Sequence, residues 1–256
     1  MSSRTPLRML LLTASLNFCA IAPLVAAEPS TSTCTAQSGT TVAPVVELYT
    51  SEGCSSCPPA DRWLSRLKAD PAIVALAFHV DYWDGLGWRD RFGSADHSRR
   101  QREQQAVNGA RFSYTPQVVV NGRDRPHWYS APLPSSADRR AAATVQVSLS
   151  ATGEVLTARI TPGDRAPSRL AAYWAVTEDG HRSTVTAGEN RGEILQHDFV
   201  VRELRQVPAW PSLATDTTVQ TFSPTTPADP AHPRHVNFVV IDAISGKPLQ
   251  AIRVRC

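Results

Sequence analysis

Apolar positions fall into two regimes along this chain, one on each side of residue 143. In the first, Val45-Val46-Glu47-Leu48-Tyr49-Thr50 is a short apolar run with β-branched residues and predicts a buried strand. The run breaks at Ser51-Glu52-Gly53, and Pro58-Pro59 stand where the first turn of a helix tolerates a missing N–H. Ala60, Trp63, Leu64 and Leu67 then recur at helical spacing. Past the Asp70-Pro71 turn, residues 73–80 are almost continuously apolar, as in a central parallel strand. A right-handed crossover through the helix is expected to join the two strands. Ser94 and Gly109 bracket a mostly polar helix, read as a surface insertion with Arg99, Arg100 and Arg102 on a solvated face. Residues 117–120, the Asn121-Gly122 pair and a short run near residues 125–129 predict a hairpin. A last short helix is expected over residues 135–143.

From Thr144 onward the pattern is alternation over short runs: 144–150, 155–160, 170–177, 183–187, 219–222, 236–241 and 251–255. Turn pairs such as Thr152-Gly153, Asp179-Gly180 and Ser245-Gly246 separate them, a spacing that predicts a β-sandwich. Two polar interruptions, Glu189-Asn190-Arg191-Gly192 and residues 194–197, fit neither strand nor helix and read as a loop with a short turn.

The N-terminal 27 residues change the picture of where the protein works. Arg4 and Arg8, the apolar stretch 9–25 and Val25-Ala26-Ala27 have the layout of a secretory signal peptide, so a periplasmic or secreted location is expected. Residues 28–43 then form an extended lead-in, 44–143 the first domain and 144–256 the second. Cleavage after Ala27 removes two arginines and lowers the formal charge from +3 to +1, and no basic stripe remains to hold nucleic acid. No membrane anchor is expected after cleavage.

Four cysteines follow the signal peptide: Cys34, Cys54, Cys57 and Cys256. An even count in an exported chain favours disulfides. Of three full pairings, Cys54–Cys57 with Cys34–Cys256 is expected, because the first pair is local and the second ties the chain ends. The long loop closed by such a bridge is worth roughly 4–5 kcal/mol in the chain-entropy model.

The Cys54-Ser55-Ser56-Cys57 spacing just before a helix is the chemical signal. A thiol there faces unpaired N–H groups and the positive end of the dipole, which favour thiolate. Cys54 is the expected nucleophile and Cys57 the resolving thiol. An inert structural disulfide and half of a zinc site are the alternatives, the latter short of the usual four ligands. Glu47, in the strand before the cysteines, and His79, at the C-terminal end of the next strand, are candidates for a proton relay. For Glu47 the alternative is pairing with an arginine at a sheet face. Trp83 and Trp88, in the aromatic and acidic loop after His79, either rim a substrate site beside Cys54 or fill space under an insertion. Asp81, Asp84 and Asp90 lack the spacing of a calcium loop.

The run VVELYTSEGCSSC resembles the first strand and active-site turn of thioredoxin-like proteins, glutaredoxins in particular. Together with HVDYWDGLGW and YTPQVVVNGR, it is similar to a bacterial secreted family, the domain of unknown function 1223 family. The similarity covers residues 44–143 well and the remainder more loosely. It implies an α/β thioredoxin-like domain with a mixed sheet and its Cys-x-x-Cys at a helix N-terminus, followed by a mainly β, sandwich-like domain. It also implies a cis-Pro116 opposite the cysteines, with Thr115 offering backbone groups to an extended substrate. Ser55-Ser56 departs from the Gly-Pro or Pro-His of well-known relatives. The expected function is thiol–disulfide exchange on a protein or small-molecule thiol or disulfide, with no cofactor. The rivals are a binding scaffold with a permanent disulfide and a Cu(I)-handling protein using the two thiolates with His79. Exchange requires an exposed Cys54 sulfur with the Pro116 peptide bond across from it.

Overall fold

The computed structural model describes residues 33–109, 111–138, 141–214 and 216–255. The signal-peptide expectation lies outside them. In chain order the elements are β1 (Thr33–Gln37), β2 (Val45–Thr50), α1 (Pro58–Ser65), β3 (Val74–His79), α2 (Ala95–Asn108), β4 (Gln117–Val120) and β5 (Arg123–Asp124). There follow β6 (Val145–Thr152), β7 (Val155–Pro162), β8 (Arg169–Glu178), β9 (His181–Thr184), β10 (Ile194–His197) and β11 (Val200–Pro211). Then come β12 (Thr218–Phe222), β13 (Arg234–Asp242) and β14 (Pro248–Val254). A 3-10 turn, Arg66–Ala69, continues α1, and two more single 3-10 turns lie at Asp84–Leu86 and Ser136–Asp138.

Alternation builds the sandwich. Val145, Val147 and Leu149 of β6 and Leu156, Ala158 and Ile160 of β7 point inward against Leu170, Ala172, Trp174 and Val176 of β8. Phe238 and Val240 of β13 complete this core, with Trp174 stacked on Phe222 and tilted against Phe238. One face of this core is a four-stranded sheet ordered β1-β6-β7-β12. The other belongs to an eight-stranded sheet ordered β14-β13-β8-β11-β3-β2-β4-β5.

That larger sheet carries two further cores on its opposite faces. Ile73, Ala75 and Ala77 share one with α1 residues Ala60, Trp63 and Leu64, while Val74, Leu76 and Phe78 enter the other beside Tyr49 and Tyr173. Burial on both faces explains the nearly continuous apolar run around β3. β3 runs parallel to β2, and β4 antiparallel to β2. Asn121 (φ 52°) and Gly122 (φ 78°) make the tight turn into β5, both in the left-handed region that a two-residue hairpin turn requires.

The expected fold class is overturned here. The described chain is mostly β, with fourteen strands against two α-helices, so the expectation of an α/β thioredoxin-like domain followed by a mainly β, sandwich-like one does not hold. One sheet runs through both expected parts because β11 inserts between them. It pairs antiparallel with β8 along most of its length and meets β3 in parallel at Val200–Ala77, where the Ala77 N–H donates to the Phe199 carbonyl at 2.8 Å. Two irregularities, between Val201 and Glu203 and between Val207 and Trp210, break its side-chain alternation. The longest strand therefore left no periodic signal.

α2 also departs from expectation. Its ends are as anticipated: the Ser94 hydroxyl accepts from the Asp96 N–H, and Gly109 (φ 67°) closes the C-terminus. It is not a solvated insertion, however, for His97, Ser98, Arg100 and Gln101 are buried. Polar residues fill this face because the sheet beneath offers polar partners.

Candidate functional site

The Cys-x-x-Cys turn sits where β2 ends and α1 begins. The Cys54 N–H donates to Ser51 and the Cys57 N–H to Cys54, and Cys57 is the residue at the helix cap, its carbonyl accepting from Ala60 and Asp61. Cys54 and Cys57 form a disulfide. Gly53 is required by close approach, since a Cβ there would lie 2.9 Å from Trp83 Cβ.

A loop covers this turn. The β9–β10 hairpin carries a loop, residues 185–193, whose Glu189 carboxylate accepts from both the N–H (3.0 Å) and the hydroxyl (2.8 Å) of Ser55. Asn190 is buried, and its side-chain amide donates to the carbonyls of Glu52 (2.8 Å) and Cys54 (3.0 Å). On another side, Thr115 precedes a cis peptide bond to Pro116, and its carbonyl lies 3.5 Å from the Ser56 hydroxyl. The Trp83 indole N–H donates to the Thr115 hydroxyl at 2.8 Å and so ties that loop to the turn. Under this cover Cys54 is 1% exposed and Cys57 0%. The expectation of an exposed Cys54 sulfur, on which exchange was made to depend, is not met, whereas Pro116 is cis and beside the turn.

Buried ionisable groups gather around the same turn. His79 Nδ1 lies 2.7 Å from Asp90 Oδ2, with both side chains fully buried, and Asp90 also accepts from the N–H groups of Glu52 and Phe92. Burial alone would push Asp90 up; the His79 charge and these hydrogen bonds outweigh it and hold the carboxyl at about 2. Burial likewise opposes protonation of His79, but Asp90 wins and raises it. His197 Nε2 stands 3.4 Å from Glu52 Oε1, and the His197 ring packs edge-on to His79. Burial pushes Glu52 up, yet His197, Ser183 and the Trp88 N–H together lower it. Asp61, whose N–H bonds the Cys57 carbonyl, is raised by burial. Glu52 Oε1, His79 Nε2 and both His197 ring nitrogens lack hydrogen-bond partners among the described residues. No group of three or more His, Cys, Asp or Glu side chains among those residues is arranged to hold a metal ion.

Not every expected residue belongs to this constellation. Glu47 is engaged by Arg100 and by the hydroxyls of Tyr173 (2.8 Å) and Tyr49 (3.4 Å), so pairing with an arginine at the sheet face describes it. His79 belongs to the buried cluster. Trp83 borders the turn, while the Trp88 N–H is turned inward to Glu52 at 2.8 Å. Cys34 is disulfide-bonded, and its expected partner, Cys256, lies outside the described residues. Sequence reasoning missed Glu52, Asp61, Glu189, Asn190 and His197. The polar interruption at 189–192 was the one available signal, and it gave no hint that the loop reaches back across more than 130 positions.

A family model described as "Protein of unknown function (DUF1223)" matches residues 45–241, well over half of the chain. The chain belongs to this family. The DUF1223 match contains the cysteine turn, the cover loop and the buried cluster, and it runs across both halves of the large sheet. No curated protein matches the chain. Among solved structures, the crystal structure of protein AGR_C_4864 from Agrobacterium tumefaciens is similar, at 25% identity and a TM-score of 0.60 over 84% of this chain and 95% of that one. HBP35 of Porphyromonas gingivalis shares the fold alone, at 14% identity and a TM-score of 0.54 over 85% of this chain and 76% of that one.

Proposed function

We propose that the protein carries out thiol–disulfide exchange through Cys54 and Cys57, and that the 185–193 loop closes the site in the oxidised state. The observation that carries this reading is the disulfide spanning the mouth of α1 beside the Thr115 backbone. In the reduced protein, the Cys54 thiolate attacks one sulfur of a substrate disulfide and releases the other as a thiolate. Cys57, deprotonated, then attacks the Cys54 sulfur of the mixed disulfide. The second substrate thiolate leaves, two electrons have passed to the substrate, and the Cys54–Cys57 bond is restored. Run backwards, the same steps oxidise a substrate dithiol. Asp61, one helical turn from Cys57 and raised by burial, takes the relay role in place of Glu47. The reading includes export, since such a pair stays oxidised in the periplasm or outside the cell.

Insulin reduction by dithiothreitol tests it. Wild-type protein is expected to accelerate the reaction, Cys54→Ser to abolish the effect, and Cys57→Ser to accumulate mixed disulfides visible by mass spectrometry. The near-complete burial of both sulfurs favours a second reading, a binding scaffold whose disulfide is permanent. That reading stands if the wild type gives no acceleration and the alkylation rate of reduced Cys54 titrates near or above ~8.5.

A further inference from the structure

A cavity of about 570 Å³ opens where the end of the α1 segment, the β8–β9 turn and strands β13 and β14 meet. It is separate from the cysteine turn, and its lining is dominated by basic side chains: Arg253, Arg255, His235 and Lys68, with Asp179 the acidic member. Arg253 lies near the end of β14 and Arg255 just past it, while His235 begins the facing stretch of β13, in which Val236 pairs with Val254 and Asn237 with Arg253.

The pairing of these groups is uneven. Each nearby carboxylate is already engaged: Asp198 by Lys68 at 2.8 Å and by the Gly180 N–H, Asp179 by the Phe199 N–H, and Asp70 by the N–H groups of Ala72 and Ser136. The arginines have no such direct contact: Arg253 feels the charges of Asp179 and Asp70 only through space. Arg253 is half-buried, and its guanidinium meets the Phe199 ring at 5.9 Å but no hydrogen-bond acceptor among the described residues. Arg255 has none either. His235 Nδ1 lies 3.9 Å from Asp179 Oδ2 and is also without a hydrogen bond. A partly desolvated guanidinium without an acceptor is costly unless something supplies one. Phe199 at the cavity wall holds a positive φ of 57°, a conformation a bulky residue adopts only when its surroundings enforce it.

We propose that this cavity binds the phosphate group of a small phosphorylated molecule. A guanidinium fork matches an oxyanion with two parallel hydrogen bonds, and a planar carboxylate satisfies one such fork. Here two forks and a ring nitrogen from the neighbouring strand face one volume, which suits a tetrahedral group with three free oxygens. The cavity also exceeds a bare phosphate and falls in the range that encloses small organic ligands.

Inorganic phosphate is the minimal probe, titrated into the full oxidised protein at constant ionic strength while the backbone amide shifts of Gly180, Phe199 and Arg253 are followed by NMR. Saturable binding is expected, with chloride and malonate weaker by about tenfold or more. Arg253→Gln should weaken phosphate by about tenfold; Arg255→Gln, at an exposed position where folding is not at stake, should weaken it about threefold. Both variants should keep wild-type circular dichroism. Phosphate no tighter than chloride, malonate matching phosphate, or an Arg255→Gln variant that binds like the wild type would each overturn the proposal.

Discussion

Replacing Asp90 by asparagine removes one charge from the cluster at the cysteine turn and keeps one of the two acceptor oxygens. Oδ1 still accepts from Phe92, while an amide group takes the place of the Oδ2 to which Glu52 donates, a loss that adds the same amount at every pH. The carboxyl titrates at about 2 in the fold, against an ordinary 3.8. At about 1.4 kcal/mol for each tenfold change in proton affinity, that difference is worth roughly 2–3 kcal/mol of stability. Neither Asp90 nor His79 has an exposed side chain, so solvent screening removes little of it. The pH dependence follows from the two directions. Asp90 is depressed, so its contribution is in place above its unfolded value and drains away as the pH falls towards 2. His79 is raised, so its contribution is complete below 6.5 and is lost as the pH climbs through its folded value. Both effects belong to one ion pair, so the pair stabilises the fold by that amount a single time. The stability gap between wild type and Asp90→Asn should therefore be widest between about pH 4 and 6.5 and narrow on both sides. Urea unfolding at about pH 3, 5.5 and 9, with a common m-value, measures it. A gap equal at all three pH values, or below ~0.5 kcal/mol at the middle one, refutes the argument.

Other perturbations probe separate parts of the molecule. Glu47→Leu and Arg100→Met should each cost about 3–5 kcal/mol by stranding a buried charge, and the double variant should recover most of that; denaturation midpoints of the three proteins decide it, and additive losses contradict the pairing. Trp174 is buried and its indole N–H has no partner among the described residues, so Trp174→Phe should cost less than ~1.5 kcal/mol and Trp174→Ala about 3–5 kcal/mol. Calorimetry that ranks the two equally argues against simple cavity formation. Asn190→Ala removes two hydrogen bonds that hold the cover loop and should speed reduction of the disulfide by dithiothreitol about three- to tenfold, read by quenched alkylation and mass spectrometry. An unchanged rate would mean that this loop does not gate the sulfurs.

The sequence revealed those parts of the fold in which each residue answers to one local rule. Val145 to Ile160 alternate because one face of each strand meets the core, and Ala60, Trp63 and Leu64 recur because one side of α1 does. Asn121-Gly122 was legible as a turn because few other pairs accept two positive φ angles. What stayed hidden depends on distant partners. α2 has no apolar stripe, and such a helix reads as solvated; its Arg100 is buried because Glu47 waits 53 positions away. Irregular register erased the alternation of β11, and with it the sign that the two halves share one sheet. Glu52, Asp61, Asp90 and His197 form no motif, since only the closed hairpin brings His197 to the turn. The disulfide partners were visible in the spacing of Cys54 and Cys57; the loop that buries them was not.

The placement of β11 also sets an order of events during synthesis. β3 leaves the ribosome about 120 residues before the strand that must lie alongside it. At roughly 5–20 residues per second, that interval lasts about 6–24 s. Throughout it one flank of the nascent sheet presents unpaired amides and carbonyls, the kind of template on which neighbouring chains aggregate. Fragments ending near residue 143 would keep that flank open permanently and should aggregate more readily than the full chain.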